Sequence, residues 1–433
     1  MMLLPGSRAA ADEPPAEAKA SQAPLPLSTV VGVAAAQRPE VKAALAKIAA
    51  AEQRPAIVSA LEDPMVMLGI DHYPYATMDP APTGEDTGMV PMATETAFGR
   101  FDWSIAVEQR FPLSRVRAHR RAGAEAEIRQ RNAEADGVGL DVRMSAVEAF
   151  LMLRERRLML EVTRRRSEIG EQLASLSAIK LATATGSQAD LLRAEVDLAR
   201  STGQARGLAG EAAEAEAMLN AAMGRPPAAP VPSLVEPELE AAPPTLEAAL
   251  ATARRHRPEL RVAEAEIARA GTEVDVMKSM YAPMGLVRIG QASTMSEGRG
   301  AMVMVGVSVP LGRKRLRAGV AEARAMEAMV RAEAEAMRLM VDGEVAAARA
   351  RVIAERGRLN AFRDDVVPRS RLAVRSALAA YGVGNGSLEA VVDAVRQQWL
   401  AEGEVVMAES ELMLALARLD RVQGISPDTA LSR

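Results

Sequence analysis

The segment FDWSIAVEQRF, residues 101–111, decides the fold because its apolar and polar side chains alternate. Five apolar residues fall on one face of an extended chain: Phe101, Trp103, Ile105, Val107 and Phe111. Gln109 alone interrupts that face, and the other face is mostly charged and polar. This length and alternation are typical of a strand that crosses an outer membrane, although a soluble hairpin that rests on a helix would show them too.

Three further segments predict three more strands, at about residues 64–72, 284–291 and 301–309. Seven of the 11 aromatic residues lie in or beside the four strands. Aromatic side chains at strand ends favour a membrane–water interface, so Phe101, Trp103 and Phe111 are predicted to lie there. The smallest membrane barrel needs about 8 strands, so four strands per chain predict an oligomer.

The composition of the remaining chain predicts long packed helices. The 433 residues are 49% hydrophobic, 25% charged and only 3% aromatic. A net charge of −4 argues against a nucleic-acid partner, and the lack of cysteine excludes disulfides and thiolate metal sites. The three histidines show no ligand spacing and no catalytic motif is present, so neither an enzyme nor a cofactor is expected.

The chain contains a tandem duplication. Three landmarks recur in order about 200 residues apart: Pro39 and Pro258, Pro112 and Pro310, Gly186 and Gly386. The first copy holds about 20 extra residues, which fall in a predicted exposed loop at about residues 71–100. The two copies are therefore predicted to have the same element order.

The predicted organisation is a repeat 1 at 28–223, a Pro-rich connector at 224–244 and a repeat 2 at 245–425. Within repeat 1 the predicted elements are strands at about 64–72 and 101–111, a long helix at about 114–181 and a helix at about 187–223. Within repeat 2 they are strands at about 284–291 and 301–309, a long helix at about 313–380 and a helix at about 387–423.

The two ends are expected to lie outside the repeats. Residues 1–27 are predicted to be a disordered tail or the remnant of a signal, and residues 426–433 a C-terminal tail. The first residues do not form a complete secretory signal, and the rest of the sequence favours a true start further upstream. The sequence contains no run of 18 apolar residues, so it predicts no transmembrane helix.

Over about residues 28–425 the sequence resembles the TolC-like outer membrane efflux channels. The resemblance rests on the duplicated order of helix, strand pair, long helix and helix, and on the Phe-Pro-Leu and Val-Pro-Leu-Gly junctions. It rests as well on the segment from Tyr381 to Ser387 that leads to Val391, Val392, Asp393 and Ala394, which is similar to the hairpin tip of that family.

The resemblance implies a mostly helical fold with a small β part and no chemistry of its own. It implies a homotrimer whose 12 strands close one barrel in outer membrane lipid, continued by an α-helical coiled-coil tunnel through the periplasm. Such a channel is a passive exit duct that docks onto a periplasmic adaptor protein and an inner-membrane pump of the resistance-nodulation-division type. The proportions look closest to the cation-efflux branch, which suggests heavy metal resistance, with drug efflux as the alternative.

The same resemblance implies that the helix tips gate the pore and dock the adaptor. Gly186, Gly384 and Gly386 permit the chain reversals there, next to Tyr381. Asp393 matches an acidic pore-lining position of the family, whereas Ala390 stands where a second aspartate is usual. Asp190 is the residue in repeat 1 that matches Ala390, and its role could be limited to hydrogen bonds within the tip.

Methionines and arginines supply two further hypotheses. If the valines of the strands face lipid, then Met65, Met67, Met302 and Met304 face the lumen, where thioethers could bind Cu(I) or Ag(I) or simply fill space. Two basic clusters, at residues 115–121 and 313–317, follow the Pro-Leu junctions and could contact lipid phosphate or water.

Two other functions stay open at this stage. A soluble coiled-coil scaffold or adaptor would share the helices but would not need the strand pairs and their aromatic ends. A protein-secretion duct would have the same channel architecture with a different pump.

Overall fold

The computed structural model describes residues 23–71, 102–239, 242–294 and 298–431. Phe101, nearly all of the predicted long loop and residues 1–22 of the predicted N-terminal tail lie outside the described residues.

The elements follow one order twice. The first copy contains α1 (Leu27–Gln37), α2 (Pro39–Val58), β1 (Met65–Asp71), β2 (Asp102–Pro112), α3 (Val116–Ala182) and α4 (Gln188–Ala222). The second contains α5 (Leu246–His256), α6 (Pro258–Ser279), β3 (Met284–Thr294), β4 (Gly298–Ser308), α7 (Arg313–Asn360), a π-helical turn (Ala361–Val366), α8 (Val367–Gly382) and α9 (Leu388–Val422). Within the described residues, no helix is long and apolar enough to cross a membrane. The predicted mostly helical fold with a small β part is confirmed.

Each copy opens with two short helices instead of one. The break falls before Pro39 in the first copy and before Pro258 in the second, where the preceding Arg38 and Arg257 are extended, with ψ of 130° and 122°. Proline disfavours helical backbone at the residue before it, yet fits the first position of a helix. The recurring Arg-Pro pair therefore ends one helix and begins the next.

The sequence analysis expected one long helix at about residues 313–380, and this expectation is wrong because the helix is not continuous. It is interrupted by the π-helical turn Ala361–Val366, and Pro368 stands in the first turn of α8. Proline lacks an N–H and its ring clashes with the carbonyl four residues earlier, so a regular helix cannot pass through this position. The π turn absorbs that mismatch. The first copy has no proline at the matching place, and α3 runs unbroken for 67 residues.

The four strands form one antiparallel sheet in the order β1-β2-β3-β4. The central pair β2 and β3 joins the two copies, with Glu108 opposite Arg288 and Val107 opposite Ile289. Both β3 and β4 extend beyond the predicted ranges toward their connection, by residues 292–294 and 298–300. These short ends contain small polar residues and glycine, which give no apolar alternation, so they could not be read from the side-chain pattern.

The chain divides into two compact units, and neither coincides with one repeat. The sheet unit consists of Pro39–Gly139 and Glu247–Ala346, and the hairpin unit consists of Met1–Arg38, Leu140–Leu246 and Ala347–Arg433. The largest fully buried side chains of the hairpin unit include Phe150, Leu153, Leu219, Met413 and Leu416. Both repeats contribute to both units, so the duplication built one structure rather than two domains.

Polar contacts hold the Pro-rich connector and the C-terminal residues onto the hairpin unit. Arg157 donates hydrogen bonds to the carbonyls of Val231 and Pro232 at 3.0 and 2.7 Å. The predicted C-terminal tail is instead packed in its described part, where a 3₁₀ turn (Thr429–Leu431) buries its last two residues and Ala430 N–H donates to Asp420 at 2.9 Å. Burial of Ala430 and Leu431 and the hydrogen bond to the Asp420 carboxylate explain why these residues pack onto the hairpin unit.

Candidate functional site

One face of the sheet is apolar and exposed. It carries nine exposed large apolar side chains: Val66, Leu68, Ile70, Ile105, Val107, Ile289, Val303, Val305 and Val307. Leu68 is 81% exposed and Val305 is 74% exposed, values that a water-soluble surface avoids for neighbouring side chains. The register places all nine on the same face, so they form one continuous surface, named here the apolar face.

Aromatic residues mark the two ends of the apolar face. Trp103 and Phe111 lie on this face near opposite ends of β2, about 27 Å apart at about 3.4 Å per residue. The ring of Phe111 covers Gly285, where an added Cβ would come within 2.5 Å of it. Gln109, the one polar residue predicted on this face of β2, donates to the carbonyl of Glu62 at 2.8 Å.

The sheet has two edges that lack partners within the described chain. β1 pairs only with β2, and β4 pairs only with β3. The unpaired backbone groups of an exposed edge are a template for another strand. Because β1 and β4 run antiparallel to each other across the sheet, the β4 edge of one chain fits the β1 edge of a second chain without changing the antiparallel pattern.

The other face of the sheet, named here the methionine face, carries Met65 and Met67 on β1 and Met302 and Met304 on β4. This agrees with the alternation in the sequence, which placed these methionines opposite the valines. Three strand spacings of about 4.8 Å separate β1 from β4, so the two pairs are about 14 Å apart and cannot share one ion within a chain. Among the described residues, no cluster of three or more His, Asp or Glu could hold a metal.

An ion pair lies at the centre of the methionine face. Glu108 is 3% exposed and accepts hydrogen bonds from Arg288 at 2.5 Å and from Arg110 at 2.9 Å. The first contact joins β2 to β3 directly across the ladder. The sequence showed both charges but not the register, so this pair could not be predicted from alternation alone. Two guanidiniums share one carboxylate, which leaves this part of the face positively charged.

The two hairpin tips are the turn between α3 and α4 and the turn between α8 and α9, and their turns match. In the second tip Gly384 has a φ of +81°, and in the first tip the matching residue is Ala184, with a φ of +56°. An added Cβ on Gly186 or Gly386 would come within 2.8 or 3.0 Å of the preceding helix, so both predicted tip glycines are required by close approach. The glycines therefore have a clear structural role, whatever else the tips do.

Serine caps begin both helices that leave the tips. Ser187 accepts from the Asp190 N–H at 3.1 Å and donates to its carboxylate at 2.8 Å, a capping arrangement. Ser387 accepts from the Ala390 N–H at 3.2 Å. Asp190 thus makes the tip hydrogen bonds that the sequence left open. Asp393 is exposed, and no partner for it exists among the described residues.

Tyr381 links the two hairpins of the hairpin unit. It is 5% exposed within a cluster that also contains Leu173, Leu388 and Val391. Its hydroxyl lies 3.2 Å from that of Ser177 on α3. The Lys180 ammonium lies over its ring and donates to its carbonyl oxygen. Sequence analysis singled out Tyr381 but missed Lys180, which no motif distinguished.

Solved structures with the same fold are outer membrane channels. The outer-membrane channel OprN matches with a TM-score of 0.75 at 20% identity, over 92% of this chain and 89% of that one. The outer membrane protein VceC from Vibrio cholerae matches at 0.73 and 15%, over 92% and 96%. CusC, described as forming a transmembrane channel, matches at 0.73 and 14%, over 94% and 92%.

At these identities the likeness concerns the fold. Comparison with models of protein families finds no match, and comparison with curated proteins finds none either. The chain has the fold of the TolC-like outer membrane channels, which confirms the resemblance in the sequence at the level of architecture.

Proposed function

We propose that the chain is the outer membrane subunit of a tripartite efflux system and acts as a passive exit duct. Three chains would join their sheets edge to edge into one barrel of 12 strands, with the apolar face toward lipid. The helices would continue the duct into the periplasm, toward an adaptor protein and an inner-membrane pump. No reaction is assigned to the chain.

The observation that carries this proposal is a sheet with one exposed apolar face and two unpaired edges. In hydrocarbon every backbone polar group needs a partner, so an open sheet edge cannot lie in a bilayer. Edge-to-edge pairing of several chains satisfies both edges at once. The aromatic residues Trp103 and Phe111 support the same orientation, because they flank the apolar band as interface residues do.

The hairpin tips are proposed as the gate and the adaptor dock. Asp393 is an exposed acidic group near the second tip with no partner among the described residues, whereas Asp190 is engaged with Ser187. Tyr381 and the tip glycines Gly186, Gly384 and Gly386 hold the turns in place. For cargo, soft metal ions near the methionines and small toxic organic compounds are the two classes suggested by the sequence.

A soluble scaffold explains the helices but not the apolar face. In such a scaffold nine neighbouring large apolar side chains would stay in water. Burial of that surface would stabilise the protein by about 25 cal/mol per Å². A protein-secretion duct would use the same barrel and differs from the proposal only in its pump and cargo.

Cysteine crosslinking across the seam tests the assembly. The chain has no native cysteine, so an introduced pair reacts without background. Leu68→Cys on β1 is combined in turn with cysteine at Ala301, Val303, Val305 or Val307 on β4, and the membranes are oxidised. We expect crosslinked dimers and trimers for at least one combination, because the two edge strands of neighbouring chains would be adjacent.

Ile105→Cys replaces Leu68→Cys as the matched control. Ile105 lies directly opposite Leu68 on the same face but on β2, which is paired on both sides by strands of its own chain. The control should give no crosslinked oligomer. Oligomers from both Ile105 and Leu68, or from neither, would contradict the edge-to-edge barrel.

A further inference from the structure

A cavity of about 570 Å³ lies within the sheet unit where the strands meet the helices. It is lined by the end of the segment that follows α2, by the start of α3, by the end of α6 and by the start of α7. Its size falls within the range of about 300–1,000 Å³ that is usual for pockets that bind small molecules. Neither the strand pattern nor the tip motifs pointed to it.

The cavity lies on the side of the methionine face. The strand residues that line it include Arg110, Met284 and Ser308. The register places all three on the face that carries Glu108, opposite the apolar face. A ligand here would therefore lie on the inner side of the proposed barrel and not against lipid.

The charge of the lining is strongly positive. Four arginines line the cavity, at positions 110, 117, 120 and 315, against the single carboxylate of Glu62. Arg110 pairs with Glu108 and Arg117 donates to the Ser59 carbonyl at 2.7 Å. Arg120 and Arg315 have no partner among the described residues, so their guanidiniums are available to an anion.

Much of the remaining wall is apolar. Leu61, Met277, Met280, Met284 and Leu316 supply aliphatic and thioether surface beside the guanidiniums. Methionine adapts to differently shaped apolar groups because it is unbranched and polarizable. The lining therefore matches a solute with a flat or branched apolar body and one negative group, and four cations repel a metal ion.

We propose that this cavity binds amphipathic organic anions, such as aryl sulfonates or carboxylates, as they pass from the helical part of the duct into the barrel. The inference rests on the proposed duct function and names its class of solute. Each negative group is held by Arg120 and Arg315, and the apolar body lies on the methionines and leucines. Free metal cations are excluded as ligands of this cavity.

Equilibrium dialysis with three naphthalene probes of different charge tests the proposal. Naphthalene-2-sulfonate, naphthalene-2-sulfonamide and 2-naphthylmethylammonium share one apolar body. The purified chain is placed in nanodiscs, with empty nanodiscs as the blank. We expect the sulfonate to bind at least about tenfold more tightly than the sulfonamide, because it gains charge-assisted hydrogen bonds, and the ammonium to bind weakest.

Two single variants and one control assign the binding to the cavity. Arg120→Gln and Arg315→Gln should each weaken the sulfonate by about tenfold and leave the sulfonamide unchanged, since each removes one unpartnered cation. Arg317→Gln lies on α7 with Arg315 but outside the cavity lining, so it should leave the affinities for the sulfonate and the sulfonamide unchanged. Equal binding of all three probes, or an unchanged sulfonate in both variants, would overturn the proposal.

Lipid composition separates a solute from a lipid headgroup. Nanodiscs of phosphatidylcholine alone should give the same sulfonate affinity as nanodiscs that contain phosphatidylglycerol. Competition by the acidic lipid would overturn the proposal by placing the cavity on the membrane side. One chain supplies all lining residues of the cavity. If the chain proves water-soluble and the duct function fails, the same probes can therefore be dialysed against it without nanodiscs. The duct function and the binding of anions in the cavity are thus tested separately.

Discussion

The Lys180 ammonium lies 3.9 Å from the centre of the Tyr381 ring and also donates a hydrogen bond to the Tyr381 carbonyl. The first residue belongs to the end of α3 and the second to the end of α8. The Lys180 ammonium thus joins the tips of the two helical hairpins through the ring face and the carbonyl of Tyr381. A cation at this place is also favourable because the C-terminal end of a helix carries partial negative charge.

Lys180→Gln should loosen this joint. The substitution removes the cation–π contact, worth about 0.5–2 kcal/mol, and weakens the bond to the carbonyl. Hydrogen exchange should become faster at both tips, around residues 177–188 and 377–390. Tyr381→Phe is the companion variant, because it keeps the ring and loses only the contact with Ser177, and it should raise exchange less. Equal protection in Lys180→Gln and the unmodified protein would mean that the contact does not hold the tips.

Ala184→Gly should stabilise the first tip. Ala184 has a φ of +56°, which costs an alanine about 1–2 kcal/mol, partly offset by the greater freedom of glycine in the unfolded chain. We expect slower exchange of the tip amides by a factor that corresponds to about 0.5–1 kcal/mol. Gly384→Ala at the matching position should have the opposite effect. The same sign for both substitutions would contradict the assigned turn geometry.

Glu155 predicts a dependence of stability on pH. Burial raises the pKa of its carboxyl, Arg156 opposes that shift and the nearby Glu411 adds to it. Because the folded pKa is the higher one, the folded state is penalised once the pH rises above it, and the penalty fades as the pH falls toward the unfolded value. Glu155→Gln should therefore raise the melting temperature more at pH 8 than at pH 4.5. The exposed Glu168→Gln on the same helix should change it little at either pH.

Substitution of four methionines separates the two cargo hypotheses. A soft-metal path along Met65, Met67, Met302 and Met304 predicts that replacement of all four by leucine lowers cellular tolerance to copper and silver. The positive charge around Arg110 and Arg288 favours organic anions instead, so on the cavity proposal the tolerance stays unchanged and export of an aryl sulfonate continues. A clear loss of metal tolerance with normal amounts of protein would support the metal path.

Periodicity explains how much of the fold could be predicted from the sequence. Period-2 alternation placed Val303 and Met302 on opposite faces, and the register of the sheet agrees. The duplicated Arg-Pro pairs marked helix starts at Pro39 and Pro258. These features depend only on neighbouring residues, so a single sequence contains them.

Long-range pairing explains what was missed. The Glu108–Arg288 pair depends on how β2 and β3 align, and the cavity depends on four segments that are far apart in sequence. Lys180 looked like any exposed basic residue until its contact with Tyr381, 201 positions away, was known. The break at Pro368 was readable in principle, because a proline inside a helical pattern signals an irregular turn.

The mass of the detergent-solubilised particle tests the central claim most directly. The chain is expressed behind a working secretory signal, the outer membrane is extracted in mild detergent, and the protein mass is determined by light scattering corrected for detergent. The account predicts three copies of the 46.0 kDa chain, found in the membrane fraction and soluble only with detergent. A water-soluble monomer or dimer would contradict it, since the apolar face would then be covered by protein rather than lipid.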